Sequence, residues 1–354
     1  MNWFQNQLNR PFLIKLLHWE YWSFHAVYLP IYIIWIGLCL RARSFFFFAA
    51  ANPQIKNGGF LNESKKDICS LIPPEFYPRT AFFSLPANAD MVLLELQNQG
   101  LGFPLIGKPD VGGRGRGVMA LRDENDVRDY VKNAFLDFHI QEFVAFKNEV
   151  GIFYYRYPGQ NQGHLSGIVR KEFLRVIGDG KTSVRQLMMK NTRAILQIKK
   201  LEKIQRIQLE EILPKGEERV LAPYGNHARG AKFLDDSDRI TADLTATVDA
   251  LCHKLPDFYF GRLDIRFNSW EELEKGKNFS VIEVNGAGSE PTHMYDPRHS
   301  IFFAWKEIIR HWIILWRISR LNHQRGYRYL TLKEGVQMFR EDRQHSQKLE
   351  AMQF

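Results

Sequence analysis

At 354 residues, 45% hydrophobic and 25% charged, the chain is long enough to bury a substantial core and to fill two or three subdomains. Its formal net charge of +9 suits an anionic partner, whether nucleotide, acidic lipid or nucleic acid, and selects none of them. Cys39, Cys69 and Cys252 are the only cysteines and lie far apart in sequence, which argues against a disulfide scaffold or a cysteine zinc site and fits a reducing compartment.

Residues 1–43 form an apolar, aromatic lead, read as a membrane-associated or anchoring segment. No formally charged side chain lies between Glu20 and Arg41, and FHAVYLPIYIIWIGLCL reaches the lower length limit for crossing a hydrocarbon core of about 30 Å. Trp19, Tyr21, Trp22, Tyr28, Tyr32 and Trp35 suit an interfacial belt. No small-residue cleavage site follows, which favours a retained anchor over a removed signal peptide. The other reading of the same letters is a buried helix broken at Pro30.

Residues 44–100 read as a shortened N-terminal α/β region. It comprises a buried strand at FFFFAAA, the turn-rich loop NPQIKNGG, a short helix over Glu63–Leu71, a strand at TAFFSL, and the helix ADMVLLELQNQG closed by Gly100. Residues 101–300 read as the core. FPLIGKP is a strand carrying Lys108, VGGRGRG a glycine-rich loop, VMAL a strand, and Asp126–Phe135 a helix. HIQEFV, EVGIFYYRY and HLSGIVRKEFLRV are further strands, followed by a long charged helical stretch over 183–211. Loop and strand over 218–235 precede a helix over 241–255, then the strands FYFGRLDIRF and NFSVIEVNG on either side of the charged connector NSWEELEKGK. Residues 301–354 read as an amphipathic helix over 301–321 and a polar tail. Hairpin-like strands with interspersed helices indicate α+β rather than a doubly wound parallel sheet.

Chemistry concentrates in the two late strands. Strand alternation puts Arg262, Asp264 and Arg266 on one face, with Leu263 and Ile265 facing the core. The same rule places Glu283 and Asn285 together, with Ile282 and Val284 inward. If the strands are neighbours, Asp264, Glu283 and Asn285 converge as oxygen donors beside Arg262. Such hard ligands suit Mg²⁺ or Mn²⁺, which bind through a few carboxylates with nucleotide phosphates and water. The alternative is a pair of edge strands with solvated ion pairs. Lys108 can meet phosphate as a point charge, and Gly112, Gly113, Gly115 and Gly117 let backbone N–H groups approach phosphate oxygens. The loop matches neither GxxxxGK[ST] nor GxGxxG opening a helix.

These ordered blocks, from about Gly102 to Pro297, resemble the ATP-grasp superfamily, and within it carboxylate–amine ligases such as D-alanine–D-alanine ligase, glutamate ligases and cyanophycin synthetase. The resemblance implies two α+β subdomains enclosing ATP, with Lys108 on its phosphates and the Gly112–Gly117 loop closing over them. IQEFVAFKNEVGIF is similar to the family's adenine hinge, implying Gln141, Glu142, Phe143 and Val144 around the base and Glu149 near the ribose. Lys171 in VRKEFLRVIGDGKTSVRQLM is the implied second nucleotide-side cation. GNHARGAKF implies Asn226, His227 and Arg229 on the substrate or phosphate side, and GRLDIR with VIEVNG implies metal on Asp264, Glu283 and Asn285 with Arg262 on the transferring phosphoryl group. Lys65 or its neighbour Lys66 matches the early lysine that reaches the nucleotide.

The expected function is therefore a Mg-ATP-dependent ligase acting on a small-molecule carboxylate and amine. It would work in the cytoplasm or at the cytoplasmic side of a membrane, with membrane-surface contact, no nucleic-acid partner, and an oligomeric state left open. The alternatives are an inactive nucleotide-binding scaffold at a membrane and a nucleic-acid binder. The latter lacks basic residues interleaved with aromatics in a recognisable module.

Overall fold

The computed structural model describes residues 11–113, 115–202, 208–222 and 225–352. Two compact units are assembled from discontinuous segments. The larger comprises Ile33–Ile168, Ser237–Pro291 and Ile308–Phe354, and the smaller Met1–Tyr32, Val169–Asp236 and Thr292–Glu307. The described strands are, in order, β1 (Thr80–Phe83), β2 (Leu105–Pro109), β3 (Met119–Leu121), β4 (Phe138–Glu142), β5 (Asn148–Tyr155) and β6 (His164–Glu172). They continue as β7 (Leu174–Ile177), β8 (Glu218–Ala222), β9 (Lys232–Asp235), β10 (Phe260–Phe267) and β11 (Phe279–Asn285). The pairings are antiparallel, so the α+β expectation holds.

In the larger unit, one sheet has the order β1-β4-β2-β3. Its apolar residues Leu105, Leu121, Phe138 and Ile140 share a core with Val92 and Leu96 of the Ala89–Asn98 helix and Val127 and Tyr130 of the Glu124–Lys132 helix. Both helices start where a short polar side chain can satisfy free amides: Asn88 accepts from Asp90 and Met91, and Asp123 accepts from Asp126. The second sheet runs β11-β10-β5 and then the first half of β6. Val150, Ile152, Leu263, Ile265 and Val281 pack beneath Leu244, Val248 and Leu251 of the Ala242–Lys254 helix.

In the smaller unit, the second half of β6 pairs with β9 from Val169↔Asp235 to Glu172↔Lys232. Strands β7 and β8 form a two-stranded sheet over a separate core that includes Leu174, Val184, Met188 and Leu213.

Four sequence expectations are corrected. FFFFAAA is not a strand: Phe47–Ala50 is a 3₁₀ turn, and Phe46, Phe47 and Phe48 are all buried, which strand alternation would forbid on a one-sided sheet. Trp35 and Phe60 hold these rings, with Phe48 stacked on Phe60 at 3.8 Å. The stretch 183–211 is not one long helix but short ones, Val184–Met188, Thr192–Ile195 and Ile198–Leu201, because Ser183 and Asn191 each cap a new start; residues 203–207 lie outside the described residues. The charged connector contains a helical turn, Trp270–Glu274, capped by Ser269. The polar tail is a 20-residue helix, Leu332–Ala351, opened by a reciprocal capping box between Thr331 and Glu334 and buried at Gly335, Met338 and Leu349.

Candidate active site

Strands β10 and β11 lie side by side with Arg262 opposite Asn285 and Asp264 opposite Glu283. The register then slips, so that Ile265 faces Val281 and Ile282 is the extra residue of a β-bulge. Alternation therefore fails at one position expected from sequence. The residues buried on the core side of β11 are Val281 and Val284, whereas Ile282 is only half-buried. The carbonyl of Ile282 instead accepts a hydrogen bond from Lys108 Nζ at 3.2 Å. The bulge thus ties β11 to the lysine of β2.

Asp264 is buried, and Arg262 donates to both of its oxygens, at 2.9 and 3.3 Å. Arg262 also reaches the Glu290 carbonyl. Burial opposes the Arg262 charge, but Asp264, Glu283 and Glu290 outweigh it and raise its pKa. Lys108 is itself buried, and desolvation pulls its pKa from 10.5 down to about 8 against the attraction of Glu283 and Asp264. Carboxylates and cations in this patch therefore compensate one another, and neither set would sit here alone.

Of the two adjacent lysines, Lys65 faces the glycine-rich loop, donating to the Gly112 carbonyl at 2.7 Å and to the Asp110 carbonyl at 3.3 Å. Lys66 is exposed, and only its backbone amide engages Asp110. The loop's own glycines are required at two points. Gly112 has φ +138°, and a Cβ there would meet Leu349; Gly117 has φ +69°, and a Cβ there would meet Pro109. Gly113 has open space around it, Gly115 also has positive φ, and Arg114 lies outside the described residues. Leu349 and Met352 share a core with the loop's flanking strands, and Arg116 reaches Ser346 at 3.4 Å. The C-terminal helix thus packs on the loop.

The segment 141–144 is engaged by the protein itself. Gln141 donates to Thr80 Oγ1 at 2.9 Å, Glu142 pairs with Arg79, and Arg266 stands 5.4 Å from the Phe143 ring. Arg266 also donates to the Val144 carbonyl at 2.8 Å and pairs across the sheet with buried Glu149 at 3.3 Å. Glu149 therefore sits in a cross-strand ion pair.

Lys171, Asn226, His227 and Arg229 belong to the smaller unit. Lys171 is buried on β6 opposite Phe233. The Asn226 side chain caps the turn His227–Arg229 by accepting from Ala228. His227 Nε2 lies 3.0 Å from the buried carboxylate of Glu20, which Arg193 also holds, and its ring packs near Tyr21, Phe233 and Tyr295. Arg229 closes the turn through its amide to the Asn226 carbonyl.

Two residues of the larger unit escaped sequence reasoning. His139 of β4 lies directly opposite Lys108, is fully buried, and has no hydrogen-bond partner on either ring nitrogen among the described residues. Burial and the nearby Lys108 and Lys65 charges hold it well below its ordinary pKa, hence neutral. Its signal in the sequence was a histidine set between the apolar Phe138 and Ile140. Glu63, just before the Ser64 cap, has Oε2 out of solvent with no hydrogen-bond partner among the described residues. Burial pushes its carboxyl up to about 7, with Lys65 opposing and Glu283 reinforcing the shift.

A carboxyl whose pKa rises on folding stabilises the fold below its unfolded value of 4.5, and that contribution is lost as pH rises through about 7. Glu63→Gln is expected to match wild type in thermal stability at acid pH and to exceed it by a few degrees above neutrality. Parallel melting profiles for the two proteins across this range would contradict the assignment.

Among the described residues, no group of three His, Cys, Asp or Glu side chains is arranged to hold a metal ion. Asp264 and Glu283 supply two facing carboxylates, with Asn285 beside them carrying a buried Nδ2 that has no hydrogen-bond partner among the described residues. That set fits Mg²⁺ or Mn²⁺ only where phosphate and water complete the shell, which is how Mg²⁺ is commonly held in nucleotide sites. Since Arg262 contacts both Asp264 oxygens, a cation would share that carboxylate with the guanidinium.

No family model matches the chain, and no curated protein matches it. Solved structures do. D-alanine–D-alanine ligase from Bacillus anthracis aligns at 14% identity over 76% of this chain and 71% of its own, with a TM-score of 0.43. VanG D-Ala:D-Ser ligase from Enterococcus faecalis aligns at 14% identity over 72% and 61%, with a TM-score of 0.41. A bifunctional glutathione synthetase from Pasteurella multocida aligns at 14% identity over 68% of this chain, with a TM-score of 0.36, and the match spans about a third (34%) of that protein. These likenesses, all at 14% identity and with TM-scores of 0.36 to 0.43, assign no role to any residue of this chain.

Proposed function

We propose that the chain is a Mg-ATP-dependent ligase that activates a substrate carboxylate as an acyl phosphate for attack by an amine. The observation that carries this reading is the convergence of Asp264, Glu283 and Arg262 on the neighbouring strands β10 and β11 with Lys108 of β2, which bonds to β11, and with Lys65 holding the glycine-rich loop alongside. Both signs of charge are buried together there, as a site for polyphosphate and its counter-ion requires.

A carboxylate oxygen attacks the γ-phosphorus of ATP, the bond from that phosphorus to the β–γ bridging oxygen breaks, and ADP leaves. The amine then attacks the acyl carbon, phosphate departs with the C–O bond, and the amine loses a proton. Lys108 and Arg262 neutralise charge spread over the phosphoryl oxygens, so the protein contributes chiefly position and electrostatics. Asp264 and Glu283 would hold Mg²⁺, whose bound charge screens the phosphates. The Gly112–Gly117 loop, when closed, excludes the water that hydrolyses an acyl phosphate.

A nucleotide-binding scaffold without turnover is the second reading. It is favoured by the Arg262 grip on Asp264 and by the packing of Leu349 against the loop. A screen of carboxylates and amines for ADP release, read with product mass, separates the two. Ligation yields ADP dependent on both substrates, whereas a scaffold binds Mg-ATP and releases none.

A further inference from the structure

The larger unit carries an apolar ridge that the proposed ligase chemistry does not use. In the Tyr32–Ala42 helix, Ile33, Ile36 and Leu40 recur at intervals of three and four residues and so share one face. They are 73%, 51% and 69% exposed, and Phe45, just past the helix, is 62% exposed. The opposite face is fixed to the protein. Leu38 and Cys39 are in the core, and Trp35 packs on Phe47 at 4.9 Å and on Trp312 at 5.1 Å.

Cations border the ridge. Arg41 in the last turn of the helix and Arg43 just past it are exposed. Arg41 and Arg320 both stand over the Trp316 ring, at 5.9 and 5.3 Å, and Arg317 beside them is exposed. Apolar side chains flanked by arginines and tryptophan match a headgroup boundary, where aliphatic groups enter the acyl region and guanidinium groups meet lipid phosphate.

We propose that this face docks the larger unit in the plane of an anionic lipid surface, with Ile33, Ile36, Leu40 and Phe45 inserted and the neighbouring arginines on the headgroups.

Two other uses fit less well. Phe24–Ala42 is 19 residues long and apolar enough to cross a membrane. Crossing, however, would pull Trp35, Leu38 and Cys39 out of the core that holds them. A two-fold contact with a second copy would set the arginine border against its own image, on a chain that already carries a net charge of +9.

The test is co-sedimentation of the purified full-length chain with vesicles of phosphatidylcholine alone or mixed with phosphatidylglycerol. Binding to the mixed vesicles is expected, weakened by salt, with little binding to phosphatidylcholine. The double variant Ile33→Asp, Leu40→Asp should lose at least about tenfold in affinity. Arg317→Glu with Arg320→Glu should lose the preference for the anionic lipid, and this second pair decides the matter if the first does not fold by circular dichroism. Failure of wild type to bind, or unaltered binding by folded variants, overturns the proposal. A concentration-dependent dimer that binds no vesicles and that Ile33→Asp disrupts would instead make the face a contact between copies. Retention in cell membranes after carbonate washing would overturn the in-plane geometry in favour of a span. None of these outcomes depends on ligase turnover, so failure here leaves the proposed ligase activity standing.

Discussion

Asp264→Asn and Glu283→Gln are each expected to lower Mg-dependent ADP formation by more than about tenfold, or roughly 1.4 kcal/mol of transition-state stabilisation, in a chain that remains folded. The two carboxylates face each other across β10 and β11, and Arg262 and Lys108 lie within their electrostatic reach. Removing one negative charge leaves Arg262 less well compensated and weakens the hold on a divalent cation at the same point. Melting by circular dichroism separates lost folding from lost chemistry. Near-normal turnover in both variants at ordinary Mg²⁺ would contradict the assignment, whereas recovery at raised Mg²⁺ would support it.

Lys108 should give the second large effect, and one with opposite signs for stability and function. Folding lowers its pKa from 10.5 to about 8, so the buried charge is a cost at neutral pH. That cost is present in full below about 8 and fades as pH rises towards 10.5. Lys108→Met should therefore raise thermal stability near pH 7, with the gain vanishing in alkaline buffer, while weakening ATP binding by about tenfold or more. In wild type, ATP affinity should fall as pH rises through about 8, and the midpoint should move upward when nucleotide is bound because phosphate favours the ammonium. Titration calorimetry against pH measures both effects. A variant that is less stable at neutral pH and binds ATP normally would show that Lys108 serves the fold. Residues that destabilise the fold yet persist in a site are the usual mark of a functional trade-off.

The parts of the site that were legible in the sequence are those governed by local periodicity. Strand alternation correctly put Arg262 and Asp264 on one face of β10, and the apolar FPLIGKP correctly put Lys108 at the end of a strand. Alternation failed at Ile282, because a bulge depends on the register of the partner strand and leaves no trace in one strand read alone. The different surroundings of Lys65 and Lys66 are equally non-local: they are set by Asp110 and Gly112, more than forty residues away in sequence. His139 and Glu63 were missed because their interest comes from burial without partners, which composition cannot display. The C-terminal helix was read as a polar tail because its apolar residues are few. Gly335 nevertheless packs against Phe46, and Leu349 against Gly112, so a mostly polar helix still closes on the larger unit.

The segment 141–144 gives a different lesson. Gln141, Glu142 and Val144 were singled out by resemblance, yet each is held by Thr80, Arg79 or Arg266. Arg266 ties this segment to the neighbouring strand through the Val144 carbonyl and Glu149.

The most direct test of carboxylate activation follows oxygen. Once a panel of carboxylates and amines has yielded a pair that supports ADP release, the carboxylate is supplied with ¹⁸O in both oxygens and the released phosphate is weighed by mass spectrometry. Attack on the γ-phosphorus followed by displacement at the acyl carbon carries one labelled oxygen into inorganic phosphate, and label is expected there in proportion to product. Unlabelled phosphate with ADP, or AMP with labelled AMP oxygen in place of ADP, would contradict an acyl phosphate at this site.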